Sequence, residues 1–240
     1  MTLLRSAALS DIGRVRRKNE DRYLNDPSAM VFGVADGVGG LPGGAEAAQT
    51  TVDEIAASLR NVPPDETPDL TAIVQRANRE VHLLGANFSP GMGIGSTLTF
   101  GYVRGGILYL AHVGDSRCYG WRNHEFILLT DDHSVENEAR LRRARGEVIY
   151  YHEVNRNALT RCIGQPGMPA VDLISRPVQA GDRYLFCTDG VTRLIRDSEL
   201  GEMVGKPSDP EEAVREIVTL AVRRGGPDNA TGVLVFIDEA

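Results

Sequence analysis

The chain has 240 residues, 42% hydrophobic and 25% charged, which is the profile of a folded globular protein and not of a disordered one. Lys plus Arg number 26 against 33 Asp plus Glu, and the resulting net charge of −7 argues against non-specific nucleic-acid binding while leaving room for a cation site. Cys118, Cys162 and Cys187 are odd in number and widely spaced, so they form neither a CxxC pair nor a disulfide framework, as expected of a reducing compartment.

From the N-terminus, MTLLRSAALSD lacks the apolar core of a signal peptide, and no window approaches the roughly 18 apolar residues of a membrane span. A single cytosolic, monomeric domain over residues 1–240 is the expectation. SDIGRVRRKNEDRY (10–23) reads by itself as a solvated charge run. VFGVAD (31–36) reads as a strand entering a loop with five glycines in eight positions. Apolar residues at helical spacing predict helices over 45–59 and 70–84, with NVPPDETPD (61–69) as the turn of a helical hairpin. From Ser96 the pattern becomes β: STLTFGYVR, a Gly105-Gly106 turn, ILYLAHVGDSR, CYGW, an Arg122-Asn123 turn and EFILLT form a meander. SVENEARLRRARGE (134–147) predicts a short helix, and VDLISRPV and DRYLFCTDG two further strands. PEEAVREIVTLAVRR starts a helix at Pro210, and TGVLVFID closes the chain as a strand. This order predicts an α+β fold with sheets packed centrally and helices outside.

Four sites share one pattern. VFGVAD36-G, LAHVGD115-SR and LFCTD189-G end apolar strands in an aspartate, and GGPD228-N precedes one. Asp-Gly is also a common hairpin turn, but VGGLPGGAEAA and VTRLIRDSELG, which follow Asp36 and Asp189, do not read as return strands. The other reading gathers these carboxylates at one rim of the sheets, where they repel one another unless a cation is bound. Carboxylate-rich, all-oxygen ligation suits Mg²⁺ or Mn²⁺, and the histidines at 82, 112, 124, 133 and 152 lack zinc-site spacing. No Walker lysine follows the glycines, and Pro42 interrupts a dinucleotide fingerprint. Beside a metal cluster, Arg16 becomes a bidentate phosphate clamp.

These residues resemble the metal-dependent protein phosphatases, the type 2C or PPM family, in its bacterial branch. VRRKNED (15–21), FGVADGVGG (32–40), GSTLTF (95–100), HVGDSR (112–117), LTDDHS (129–134), LTRCIG (159–164), LFCTDGV (185–191) and GGPDNATGVLV (225–235) stand in the family's order. The resemblance implies one catalytic domain, a four-layer α/β/β/α sandwich of two antiparallel sheets flanked by helix pairs, with a flap at about 134–165. It implies hydrolysis of phosphoserine and phosphothreonine in proteins by a water bridging two metal ions, opposing a Ser/Thr kinase. Asp36 would bridge the ions, with the Gly37 carbonyl on one and Asp189 and Asp228 completing the other. Glu20 and Asp21 would act nearby through water, Asp115 would hold a third, weaker ion, and Arg16 would bind phosphate.

The resemblance has one gap. Many members carry a histidine as candidate general acid just after the bridging aspartate or a few residues on, where this chain has Val38 and Leu41. His133 is expected to anchor the flap, and Cys162 and Cys187 to be bystanders. The alternative function is a non-catalytic, metal-stabilised module that binds a kinase or phosphoprotein. A nucleotide phosphohydrolase is the third reading, and with a single Trp the chain offers no clear aromatic platform for a base.

Overall fold

A computed structural model describes residues 2–38, 43–63 and 66–240. Leu41 and Pro42 of the LPGG loop lie outside them. Among the described residues, two five-stranded antiparallel sheets form. The first has the order β1-β10-β9-β6-β7, built from β1 (Leu3–Asp11), β6 (Arg117–Arg122), β7 (Glu125–Leu128), β9 (Arg183–Cys187) and β10 (Ala230–Glu239). The second, β2-β3-β4-β5-β8, contains β2 (Asp21–Asp26), β3 (Val31–Asp36), β4 (Leu98–Arg104), β5 (Ile107–Val113) and β8 (Asp172–Pro177).

The inner faces meet in a core that includes Phe32 and Val34 of β3, Leu110 of β5, Phe186 of β9 and Val233 and Val235 of β10. On the outer face of the second sheet lie α1 (Gly44–Arg60) and α2 (Leu70–Phe88), whose apolar stripes pack with Leu98, Phe100 and Ala111. The first sheet is covered by α5 (Asp197–Gly205) and α6 (Pro210–Arg223), with Val214, Ile217 and Val218 packed on Leu185 and Leu234. The short α4 (Asp189–Thr192) leads out of β9. The four layers therefore match the predicted α/β/β/α order.

Helices start where local chemistry satisfies their free amides. Asp69 caps α2 through Ala72 N–H at 3.0 Å, and Asp209 followed by Pro210 opens α6. The 105–106 turn has positive φ at both glycines, as its sequence predicts. The β6–β7 turn sits one residue later than expected: Asn123 and His124 take the positive φ values, because Arg122 pairs with Glu125 in the ladder.

Two strands and two helices were not legible. β1 pairs with β10 along its whole length and β2 with β3, although neither has a strongly alternating sequence. The VTRLIRDSELG stretch, read only as non-strand, supplies the second half of α4 and most of α5.

Candidate active site

β3 and β5 finish, and β10 begins, at the same rim of the sandwich, next to the exit of β9 into α4. There the chain places Asp36 at the end of β3, Asp115 two residues after β5, Asp189 as the first residue of α4 and Asp228 two residues before β10. All four line one cleft of about 440 Å³, together with Arg16 and Glu20. The acidic residues of the predicted set thus converge from both sheets. Asp21 lies at the start of β2, directly opposite Asp36 in the ladder.

Asp21 is buried. Its Oδ2 accepts hydrogen bonds from Thr188 Oγ1 at 2.9 Å and Thr231 Oγ1 at 2.6 Å, which tie β2 to the β9 and β10 ends. Its Oδ1 and that of Asp189 are buried with no hydrogen-bond partner among the described residues. Asp36 is held by its backbone: its N–H donates to Thr97 Oγ1 at 2.9 Å, and its carbonyl accepts from Thr97 N–H at 2.8 Å. Gly37 continues the loop, and a side chain there would meet the Gly44 carbonyl oxygen at 2.3 Å. Asn229 closes the base of the cleft. Its amide accepts from Glu20 N–H and donates to the Ile12 and Lys18 carbonyls, fixing the 12–20 loop against β10.

The electrostatics follow from crowding of like charges. Burial, then the charges of Asp21, Asp189, Asp115 and Asp228, hold the Asp36 carboxyl well above its ordinary range. Burial and neighbouring carboxylates push Asp21 and Asp115 each up to about 7, the two threonine bonds partly offsetting this at Asp21. Burial also raises Asp189, against the opposing pull of Arg193. Such a rim lacks positive charge.

Two arginines answer part of that need. Arg16 Nη2 donates to Asp228 Oδ2 at 2.8 Å, which raises the guanidinium pKa further. Arg193 pairs with Asp189 and reaches within 3.9 Å of both Asp115 and Asp228. Among the described residues no three Asp, Glu, His or Cys side chains already close into a metal cage. The donor set nevertheless fits hard divalent cations. It is carboxylate oxygen throughout, it includes buried oxygens without partners, and it is destabilised by repulsion that a cation relieves.

Sequence reasoning missed Arg193, Thr188, Thr231, Thr97 and Asn229. A signal existed for Arg193 alone, four residues after Asp189 and therefore on the same face of any helix that follows β9. Val38 lines the cleft and donates its backbone N–H to the Gly95 carbonyl, so its position is described while that of Leu41 is not. His133 is buried outside the cleft lining. Its Nδ1 accepts from Gly114 N–H at 3.0 Å, and Nε2 faces Asp172 at 3.1 Å. Asn157, Leu159 and Cys162, from the segment after α3 (Val135–Ala144), form one wall of the cleft. Cys187 is buried in β9.

Comparison with known proteins agrees with this arrangement. The family model for protein phosphatase 2C matches residues 9–230. A serine/threonine phosphatase, stp, of Listeria monocytogenes is 31% identical over 240 residues, covering 95% of this chain and 94% of that one. The serine/threonine protein phosphatase PstP of Mycobacterium tuberculosis is 34% identical over 241 residues, 98% of this chain but 45% of that longer protein. A crystal structure of the catalytic domain of serine/threonine protein phosphatase PstP, in complex with two manganese ions, superimposes with a TM-score of 0.83 at 30% identity and covers 100% of both chains. With every residue of the acidic rim, from Arg16 to Asp228, inside the matched residues, the chain belongs to the protein phosphatase 2C family.

Proposed function

We propose that this protein hydrolyses phosphoserine and phosphothreonine esters in proteins, using two divalent ions, Mn²⁺ or Mg²⁺, held by Asp36, the Gly37 carbonyl, Asp189 and Asp228. The observation that carries this reading is the meeting of Asp36, Asp189 and Asp228, from three separate chain segments, in one cleft with Arg16. Membership of the phosphatase family supports it, as does the manganese complex of the related PstP domain.

When bound, the ions supply acidification of water and neutralisation of phosphoryl charge. The side chains supply the rest. Asp36, the Gly37 carbonyl, Asp189 and Asp228 would hold the ions. Glu20 and Asp21 flank them and orient water, Asp21 being held by Thr188 and Thr231. Asp115 offers a place for a third, weaker ion. Arg16, once released from Asp228, grips two phosphoryl oxygens in the planar geometry a guanidinium provides. Val38 carries no titratable proton, so it is not the acid that protonates the leaving alkoxide. Residues 134–165 act as a flap over substrate. The domain spans residues 1–240, works as a monomer in the cytosol and opposes a cognate Ser/Thr kinase.

Release of phosphate from a phosphothreonine peptide tests the proposal. Hydrolysis is expected with Mn²⁺ and is expected to stop when a chelator is added. Hydrolysis that persists in chelator overturns it.

Arg16→Ala is expected to lower kcat/KM about 10- to 100-fold, since a charge-assisted pair contributes about 1.5–3 kcal/mol. Most of the loss should appear in KM, because the clamped oxygens exist in substrate and transition state alike. Steady-state kinetics on the same peptide measure both parameters. Unchanged kinetics would return Arg16 to a surface ion pair with Asp228.

A further inference from the structure

Arg193 lines the cleft, and the proposed reaction gives it no task. The turn of α4 and its exit carry this side chain back over Asp189, four residues earlier, and Arg193 N–H donates to the Asp189 carbonyl at 2.9 Å. Its Nη2 pairs with Asp189 Oδ2 and lies 3.9 Å from Asp115 Oδ2, while Nη1 lies 3.9 Å from Asp228 Oδ2. A single guanidinium therefore faces three carboxylates that come from the ends of three strands. Arg16 is engaged at Asp228, and among the described residues Arg193 is the one cation within 4 Å of Asp115.

The backbone under Arg193 is fixed and the side chain is not. Gly190 is wedged against the Asn229 carbonyl, where even a methyl group would lie 1.9 Å from the oxygen, so α4 has no room to retreat. The Arg193 side chain is 42% exposed, so its head can swing into solvent when something better charged arrives. A divalent ion that takes both Asp189 oxygens must displace Nη2 from Oδ2. A further ion at Asp115 must expel the guanidinium from the corner altogether.

We propose that Arg193 is a tethered cation that fills the Asp115–Asp189 corner of the rim in place of a third divalent ion. Because it is attached four residues from Asp189, it competes at a local concentration that no free monovalent ion reaches. It offsets part of the corner's negative charge at low metal and makes the third ion weak. This inference rests on the reading that the rim binds divalent ions.

Mn²⁺ titration of the chelator-treated full chain, followed by calorimetry and by the electron paramagnetic resonance of free Mn²⁺, tests it. Arg193→Ala and Arg193→Met are compared with wild type, the second keeping the aliphatic stem, and circular dichroism verifies folding. Both variants are expected to bind the weakest ion about tenfold more tightly, the factor that corresponds to losing one charge-assisted pair. Adding Asp115→Asn to Arg193→Met is expected to remove that gain. Arg193→Lys, which keeps the charge but loses the fork, should fall between wild type and Arg193→Met. A weakest site of unchanged affinity in both neutral variants overturns the inference while leaving the two-ion reading intact. Wild type that binds no Mn²⁺ overturns that reading, and this inference with it.

Discussion

Asp36→Asn is expected to end hydrolysis while making the metal-free protein more stable. The loss of activity follows from removing the carboxylate proposed to be shared by both ions, and a fall of about 10³-fold or more in kcat is expected. The gain in stability follows from the same crowding. Burial and four neighbouring carboxylates raise the Asp36 pKa in the folded state, so above that pKa the fold must carry a charge that the unfolded chain tolerates better. An amide carries none. In chelator at pH 8 the variant should therefore melt above wild type, and the gap should close as pH falls from the raised folded-state pKa to the ordinary value of 3.8, where the unfolded chain binds the proton too. With Mn²⁺ the order should reverse, since wild type alone gains the full stabilisation of a bound pair. Asp189→Asn should also end hydrolysis, with a smaller stability gain because Arg193 already offsets part of its charge. A folded Asp36→Asn protein that turns over at the wild-type rate would remove Asp36 from the reaction, and melting curves recorded alongside the kinetics make that distinction.

Gly190→Ala is expected to damage both stability and activity through a single methyl group. An added Cβ would lie 1.9 Å from the Asn229 carbonyl oxygen, a backbone atom that cannot rotate away. Relief requires α4 and the start of β10 to separate, which displaces Asp189 on one side and Asp228 on the other. Overpacking of this kind costs about 3 kcal/mol, the upper part of its usual range. A displacement near 1 Å in the ligand geometry lowers turnover by about 10²-fold. Urea unfolding and peptide kinetics measure the two effects. Near-normal values for both would mean the β10 start is more compliant than its contacts imply.

The acidic rim was legible because its signal is local. An apolar run that stops at an aspartate and is not followed by a return strand shows in a few residues, and Asp36 and Asp189 both display it. The helical layers were legible for the same reason, since the stripes of α1, α2 and α6 lie within single stretches. What escaped is held by partners far away in the chain. β1 is half-buried along most of its length and owes its form to β10, more than 200 residues later. The threonines that orient Asp21 lie 167 and 210 residues from it, and Asn229 reaches Ile12 across 217. Arg193 faces the carboxylates only because α4 is helical, and VTRLIRDSELG does not announce two short helices.

The cleft draws its carboxylates from both halves of the sandwich. Asp36 ends a strand of one sheet, Asp115 lies on the crossover from β5 to β6 between the two, and Asp189 and Asp228 adjoin β9 and β10 of the other. Apolar side chains between the sheets resist separation but offer little directional resistance to sliding. Asp21, reaching from β2 to Thr188 and Thr231, is a polar pin against that slip at the rim. An ion liganded from both sides would be a second pin of far greater stiffness. Cation loading then acts as a suture across the seam of the molecule, and slow hydrogen exchange should spread from the rim into β3 and β10 together when Mn²⁺ is added.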